Sequence, residues 1–222
     1  MLDGVIGALA PHVCVICGCE GSLVCAWCAP DALMTVPERC YRCSVVSGES
    51  AVCSKCRKHS PLQHVWVAGL YQGAAKDLVH ALKFARAKAA AQIIGDLLHD
   101  AVPALPQGTV VTYIPTATSR VRLRGYDQAQ LIARAFAGNR GLQVCTLLRR
   151  QGQTRQVGAN RKHRLEQAAK NYAVSDMHAA KGAEILIIDD ILTTGATLES
   201  AAKVLKAAGA KRLHAAVFAQ KQ

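Results

Sequence analysis

The stretch Ile185–Thr197, ILIIDDILTTGAT, decides how the rest of this 222-residue chain is read. The run Glu184–Ile188 (EILII) predicts a strand buried on both faces. Two adjacent carboxylates follow, Asp189 and Asp190, then a Thr/Gly turn, then a helix over Gly195–Ala208 that Gly209 stops. Each part has a physical use. Asp189 and Asp190 can accept hydrogen bonds from vicinal hydroxyls or help to hold Mg²⁺. Thr193, Thr194, Gly195, Ala196 and Thr197 offer hydroxyls and backbone N–H groups at a helix N-terminus, which is an anion cradle. Carboxylates beside such a cradle describe a sugar phosphate with free hydroxyls. The Walker A pattern is absent from the sequence, which excludes a P-loop nucleoside triphosphatase reading. The bland alternative, a helix cap with exposed acids, fits any one of these residues but not the ordered set.

Outward from this segment, strands alternate with helices. Strands are predicted at His64–Tyr71, Thr109–Ile114 (ended by Pro115), Gln143–Leu148 and Arg212–Ala219. Amphipathic helices are predicted at Ala74–Phe84, Ala89–Val102 and Tyr126–Ala137, with a short one at Arg161–Ala169. Arg149–Asn160, polar and unpatterned, reads as a mobile loop. The fold class is therefore α/β, a mainly parallel sheet flanked by helices, in which ligands bind at the carboxyl ends of strands.

The first 60 residues differ in kind. They hold nine of the ten cysteines, eight of them in four C-x-x-C pairs: Cys14/Cys17, Cys25/Cys28, Cys40/Cys43 and Cys53/Cys56. Four thiolates hold one Zn²⁺ tetrahedrally, so eight suit two structural zinc ions. Short connecting loops favour consecutive pairing of the knuckles over an interleaved cross-brace. Full coordination leaves nothing catalytic there, and metal binding would supply the folding energy of so small a segment. Cys19 reads as a bystander and Cys145 as core. A boundary falls near Ser60-Pro61, which gives a zinc-finger region over 1–60 and a second domain over 61–222.

The formal charge is +12, and it is unevenly placed: residues 1–60 are neutral, whereas Arg120–Arg164 holds 11 basic residues against one acid, Asp127. That predicts a polyanionic partner. No apolar run is long enough to span a membrane, and Met1–Ala10 lacks a basic leader region, so a cytoplasmic location without membrane insertion is expected.

ILIIDDILTTGAT resembles the 5-phosphoribosyl-1-pyrophosphate (PRPP) signature of type I phosphoribosyltransferases. The resemblance implies that Asp189 and Asp190 bind ribose, that Thr193–Thr197 bind the 5-phosphate, and that Mg²⁺ accompanies PRPP. Cysteine knuckles ahead of such a domain resemble the ComF (ComFC/GntX-like) family. So do LYQGAAKDLVHALKF at 70–84, IPTATSRVRLRGYDQAQLIA at 114–133, and Gln156 with Arg164. By that resemblance Thr116, Ala117 and Thr118 fall at the pyrophosphate loop, with Arg120, Arg122 and Arg124 as its basic continuation. The family often has Asn near Gln167, and hypoxanthine-type enzymes have an Asp where Thr193 stands; the latter departure removes a general base and argues against simple purine salvage.

Two readings follow. One is a PRPP-binding, phosphoribosyltransferase-like protein that handles single-stranded DNA in natural transformation, with competence proteins as partners. The other is an active phosphoribosyltransferase with an unidentified acceptor, unrelated to DNA uptake. With 5% aromatic residues, among them Trp27, Tyr41 and Trp66 in or near the knuckles, sequence-tolerant electrostatic binding of a strand is favoured over base stacking, and the competing explanation is that the arginines serve pyrophosphate alone.

Overall fold

The computed structural model describes residues 12–151 and 171–221. The predicted helix at Arg161–Ala169, Gln156, Arg164, Gln167, the Met1–Ala10 segment and all but the start of the Arg149–Asn160 loop lie outside them.

Seven strands and seven α-helices are described. The strands are β1 (Val65–Leu70), β2 (Val110–Tyr113), β3 (Gln143–Val144), β4 (Leu148–Arg150), β5 (Tyr172–Val174), β6 (Glu184–Leu192) and β7 (Arg212–Gln220). The helices are α1 (Ser54–Arg57), α2 (Gly73–Phe84), α3 (Ala89–Ala101), α4 (Thr118–Arg124), α5 (Gln128–Gly138), α6 (Met177–Ala180) and α7 (Ala196–Ala207). Strands β1, β7, β6, β2 and β3 form, in that order, an all-parallel five-stranded sheet, and β4 pairs antiparallel with β5 beside it.

The central strand is β6. Ile185, Leu186, Ile187 and Ile188 are fully buried because both faces are covered. Leu186 and Ile188 join α2, α3 and α5 on one side, and Ile185 and Ile187 join α7 and part of the cysteine region on the other. Leu78, Val79 and Leu82 of α2, and Ile132 and Phe136 of α5, supply the expected buried stripes. Helices α3 and α5 cross so closely that a Cβ on Gly95 would lie 2.5 Å from the Ala135 methyl, and only glycine fits there.

Three readings of the sequence change. The predicted strand Gln143–Leu148 is two strands in different sheets, because the chain turns at Cys145–Leu147. Arg149 and Arg150 belong to β4 rather than to a loop. Strand β6 runs on through both aspartates to Leu192. Its neighbour β2 stops short: the Ile114 N–H still donates to the Ile188 carbonyl (2.9 Å), but Pro115 has no N–H to continue the ladder. Beyond Ile188 the central strand stands free on that side, which opens a crevice at its carboxyl end. Among the described residues, no helix is long and apolar enough to cross a membrane.

Candidate functional site

The acid pair sits at this crevice, and its two members differ. Asp190 is buried; its Oδ2 is 2.8 Å from the Lys83 ammonium and accepts a hydrogen bond from Gln128 Nε2 (3.2 Å). Asp189 is half-buried, and its Oδ1 accepts from the Asp190 backbone N–H (2.9 Å). Burial and then the Asp190 charge hold the Asp189 carboxyl well above the ordinary carboxylate range, against the pull of the Asp190 N–H and Lys83. Hydroxyl donors or a hard divalent cation brought to Asp189 would favour its ionised form.

After Leu192, Thr193 and Thr194 are exposed, Gly195 adopts φ +74°, and α7 begins at Ala196, with Ala196 and Thr197 exposed in its first turn. The described structure therefore brings Asp189, Asp190 and the Thr193–Thr197 loop to one sheet edge.

The basic element faces the same crevice. Asp127, the lone acid of that stretch, is a cap. Its carboxylate accepts from the N–H groups of Ala129 (3.0 Å) and Gln130 (3.3 Å) at the start of α5, and from Thr116 N–H (2.7 Å) and Oγ1 (2.9 Å). One side chain thus fixes both the loop after β2 and the helix that carries Gln128. Arg124 Nη1 donates to Gln128 Oε1 (2.8 Å), and its Cζ lies 5.6 Å from the centre of the Phe84 ring. Arg124, Gln128, Asp190 and Lys83 form one continuous network. Thr118–Arg124 is helical, and Arg120 and Arg122 on it are exposed. Gln128 and Lys83 lie in the stretches 114–133 and 70–84 that resemble the family, but the sequence assigns neither a role in the site. Lys83 ends the amphipathic stripe of α2 and Gln128 heads the buried stripe of α5, where a polar residue in an apolar row is the available signal.

The eight knuckle cysteines form two clusters, Cys14/Cys17/Cys25/Cys28 and Cys40/Cys43/Cys53/Cys56, with all ligand atoms of each within 4.8 Å of one another. This is the consecutive pairing. The first knuckle of each has the same backbone frame: Cys14 N–H to Cys19 O and Gly18 N–H to Cys14 O, then Cys40 N–H to Val45 O and Ser44 N–H to Cys40 O. Sulfur separations of 3.7 Å (Cys17–Cys25) and 3.6 Å (Cys43–Cys53) match the roughly 3.8 Å edge of a tetrahedron built on about 2.3 Å Zn–S bonds. Backbone hydrogen bonding from Cys17, Cys25 and Ile16 pulls the Cys14 thiol down to about 6, which suits a thiolate ligand. Both clusters could hold zinc, and these cysteines would be its ligands. Cys19 is exposed and stands outside the clusters, and Cys145 is half-buried.

The second knuckle touches the phosphate loop. Tyr41 and Arg42, the two residues between Cys40 and Cys43, both reach Glu199 in the first turn of α7: the Tyr41 hydroxyl donates to Glu199 Oε1, and Arg42 Nη1 is 2.9 Å from the same oxygen. The Tyr41 ring covers Gly195. Of the aromatics considered for stacking, Tyr41 is therefore engaged. Trp66 is buried in a three-ring cluster with His64 and His214, with ring centres 5.3 Å from each. Trp27, between Cys25 and Cys28, is 91% exposed.

Residues 124–222 match the family model for the phosphoribosyl transferase domain. Competence protein ComFC of Streptococcus pneumoniae (strain R6) is 34% identical over 98 residues, a match that covers 44% of this chain and 42% of that protein. Among solved structures, the glutamine PRPP amidotransferase from B. subtilis aligns with TM-score 0.43 and 18% identity, covering 59% of this chain and 26% of that one. Hypoxanthine phosphoribosyl transferase from Trypanosoma cruzi aligns with TM-score 0.38 and 13% identity over 67% of each chain.

Proposed function

We propose that this ComF-like protein, a phosphoribosyl transferase domain preceded by two four-cysteine clusters, binds PRPP with Mg²⁺ at the carboxyl end of β6 and handles single-stranded DNA in natural transformation. The observation that supports this reading best is the acid pair set beside the Thr/Gly loop at the free end of the central strand, with Lys83 and Gln128 behind Asp190. In this reading Asp189 accepts from the ribose hydroxyls and Asp190 holds the crevice in shape. The loop after Thr193 takes the 5-phosphate on its N–H groups. Thr116, Ala117, Thr118 and Arg124 take the pyrophosphate, and the cysteine clusters each hold a structural zinc. The same reading has the protein working in the cytoplasm beside other competence proteins.

The arginines divide between two tasks. Arg124 is tied through Gln128 to Asp190 and belongs to the ligand site. Arg120 and Arg122 are exposed and free to neutralise phosphates of a strand, while Trp27 offers a stacking face. The commitment of Arg124 to the acid pair also favours the second reading, transfer of the phosphoribosyl group to an acceptor of unidentified chemistry.

Calorimetric titration with Mg²⁺-PRPP tests the site: Asp189→Asn with Asp190→Asn should abolish binding, and unchanged affinity would sink the assignment. For DNA, Arg120→Ala with Arg122→Ala should weaken single-strand binding and flatten its dependence on salt, leaving PRPP affinity as it was; an unaltered slope would remove those arginines from the strand interface.

A further inference from the structure

A cavity of about 620 Å³ lies between the second cysteine knuckle and the phosphate loop. Its walls include Arg39, Tyr41 and Arg42 from the knuckle, Thr193 and Thr194 from the loop, and Lys221 from the end of β7. None of the residues that line it is acidic. The loop needs such neighbours. From Asp189 to Ser200 the chain has two aspartates and Glu199 but neither lysine nor arginine. A phosphate dianion approaching the N-terminus of α7 would meet backbone N–H groups but no cation from the loop itself, and Lys83 and Arg42 are already paired with Asp190 and Glu199.

Cations from outside the loop line the cavity. Arg42 is spent on Glu199, which it neutralises at 2.9 Å. Arg39 and Lys221 are exposed, and no described carboxylate is within ion-pair distance of either. Both have anchored backbones. Lys221 N–H donates to the Leu192 carbonyl (2.9 Å), one residue before Thr193. Arg39 is bridged to Val46 and precedes Cys40, whose N–H bonds the Val45 carbonyl (2.9 Å).

We propose that this seam is a composite anion site for the phosphomonoester of a sugar phosphate, in which the cysteine module supplies, through Arg39 with Lys221 opposite, the positive charge that the phosphate loop lacks. The proposal rests on the phosphoribosyl reading above and deepens it: the second cysteine cluster forms one wall of the ligand site as well as a fold support. Tyr41 is then a positioning residue, which holds the wall against Gly195.

The test uses the full-length, metal-replete protein and titrates ribose 5-phosphate, with inorganic pyrophosphate as the control that lacks the sugar phosphate. Arg39→Glu and Lys221→Glu should each weaken ribose 5-phosphate about fivefold at low salt, less as ionic strength rises, and leave pyrophosphate unchanged. Arg39→Lys should bind like the wild type. If Arg39→Glu loses metal, Lys221→Glu, outside the cysteine region, still decides the matter. Wild-type affinity in both reversals would overturn the seam while leaving the phosphoribosyl reading intact. A wild-type protein that binds neither PRPP nor ribose 5-phosphate would overturn both.

Discussion

Replacing Gly195 by alanine tests whether the cysteine module truly clamps the phosphate loop. At φ +74° the residue sits in the left-handed region, and a Cβ there would lie 2.6 and 2.8 Å from Cε2 and Cδ2 of Tyr41. Carbon atoms prefer about 3.5–4.0 Å, so the methyl would intrude by roughly 1 Å. The ring cannot swing aside without cost, because its hydroxyl bonds Glu199 and Ser60 (2.9 Å). Two penalties add: about 1–2 kcal/mol for left-handed backbone at a residue with a Cβ, and about 1–3 kcal/mol for overpacking. Gly195→Ala should therefore lose about 2–5 kcal/mol in urea denaturation. Tyr41→Ala separates the two, since it removes the ring and leaves the backbone penalty. The double variant should be less destabilised than the sum of the singles by about 1–3 kcal/mol. Additivity within about 0.5 kcal/mol would refute the contact between knuckle and loop.

Lys83→Ala strands the buried Asp190 charge and should cost about 3 kcal/mol of stability, part of which Asp190→Asn in the same chain restores; a loss below about 1 kcal/mol would show that water already solvates the pair. The raised Asp189 carboxyl sets a pH dependence. The folded chain keeps a proton that the unfolded chain has released, so stability falls as pH rises from about 4 through the elevated folded-state value. Asp189→Asn should accordingly melt above the wild type at neutral pH, with the gap closing below about pH 4; a gap independent of pH would contradict the burial argument. Removal of metal by a strong chelator should release two zinc ions per chain, one from each cluster, and free the eight cluster thiols for a thiol reagent, where the metal-replete protein offers the exposed Cys19 and, more slowly, the half-buried Cys145. Release of one ion would leave one cluster without metal.

The fold was legible where one face of each element had to be apolar. The run EILII, the stripes of α2, α3 and α5, and the four C-x-x-C pairs each specify local structure through burial or ligand geometry, and the structure has sheet, helices and two four-cysteine clusters in those places. What escaped depends on contacts distant in sequence. Nothing near Gln143–Leu148 says that its halves pair with different partners, Val144 with Val111 and Leu148 with Val174. The helix Thr118–Arg124 has no buried residue and hence no periodic signal. The adjacency of Tyr41 and Gly195 joins residues 154 positions apart, and no motif in either segment names the other.

The difference between the two acids follows from the strand that holds them. Because β6 stays extended through Leu192, successive side chains point to opposite faces. Asp190 falls on the face covered by α2 and α5, and those helices place Lys83 and Gln128 against it. Asp189 falls on the other face, where its charge is felt by Tyr172 of β5 and no described cation pairs with it. A helical or looped Asp-Asp pair could turn both carboxylates to one ligand, but an extended one cannot do so without twisting the chain. The termination of β2 at Pro115 matters for the same reason: past Ile188 the β2 side of the strand has no ladder to keep, which leaves Asp189 half-exposed while Asp190 remains anchored behind it. The sequence DD therefore encodes one anchored carboxylate and one available one, and the strand register decides which is which.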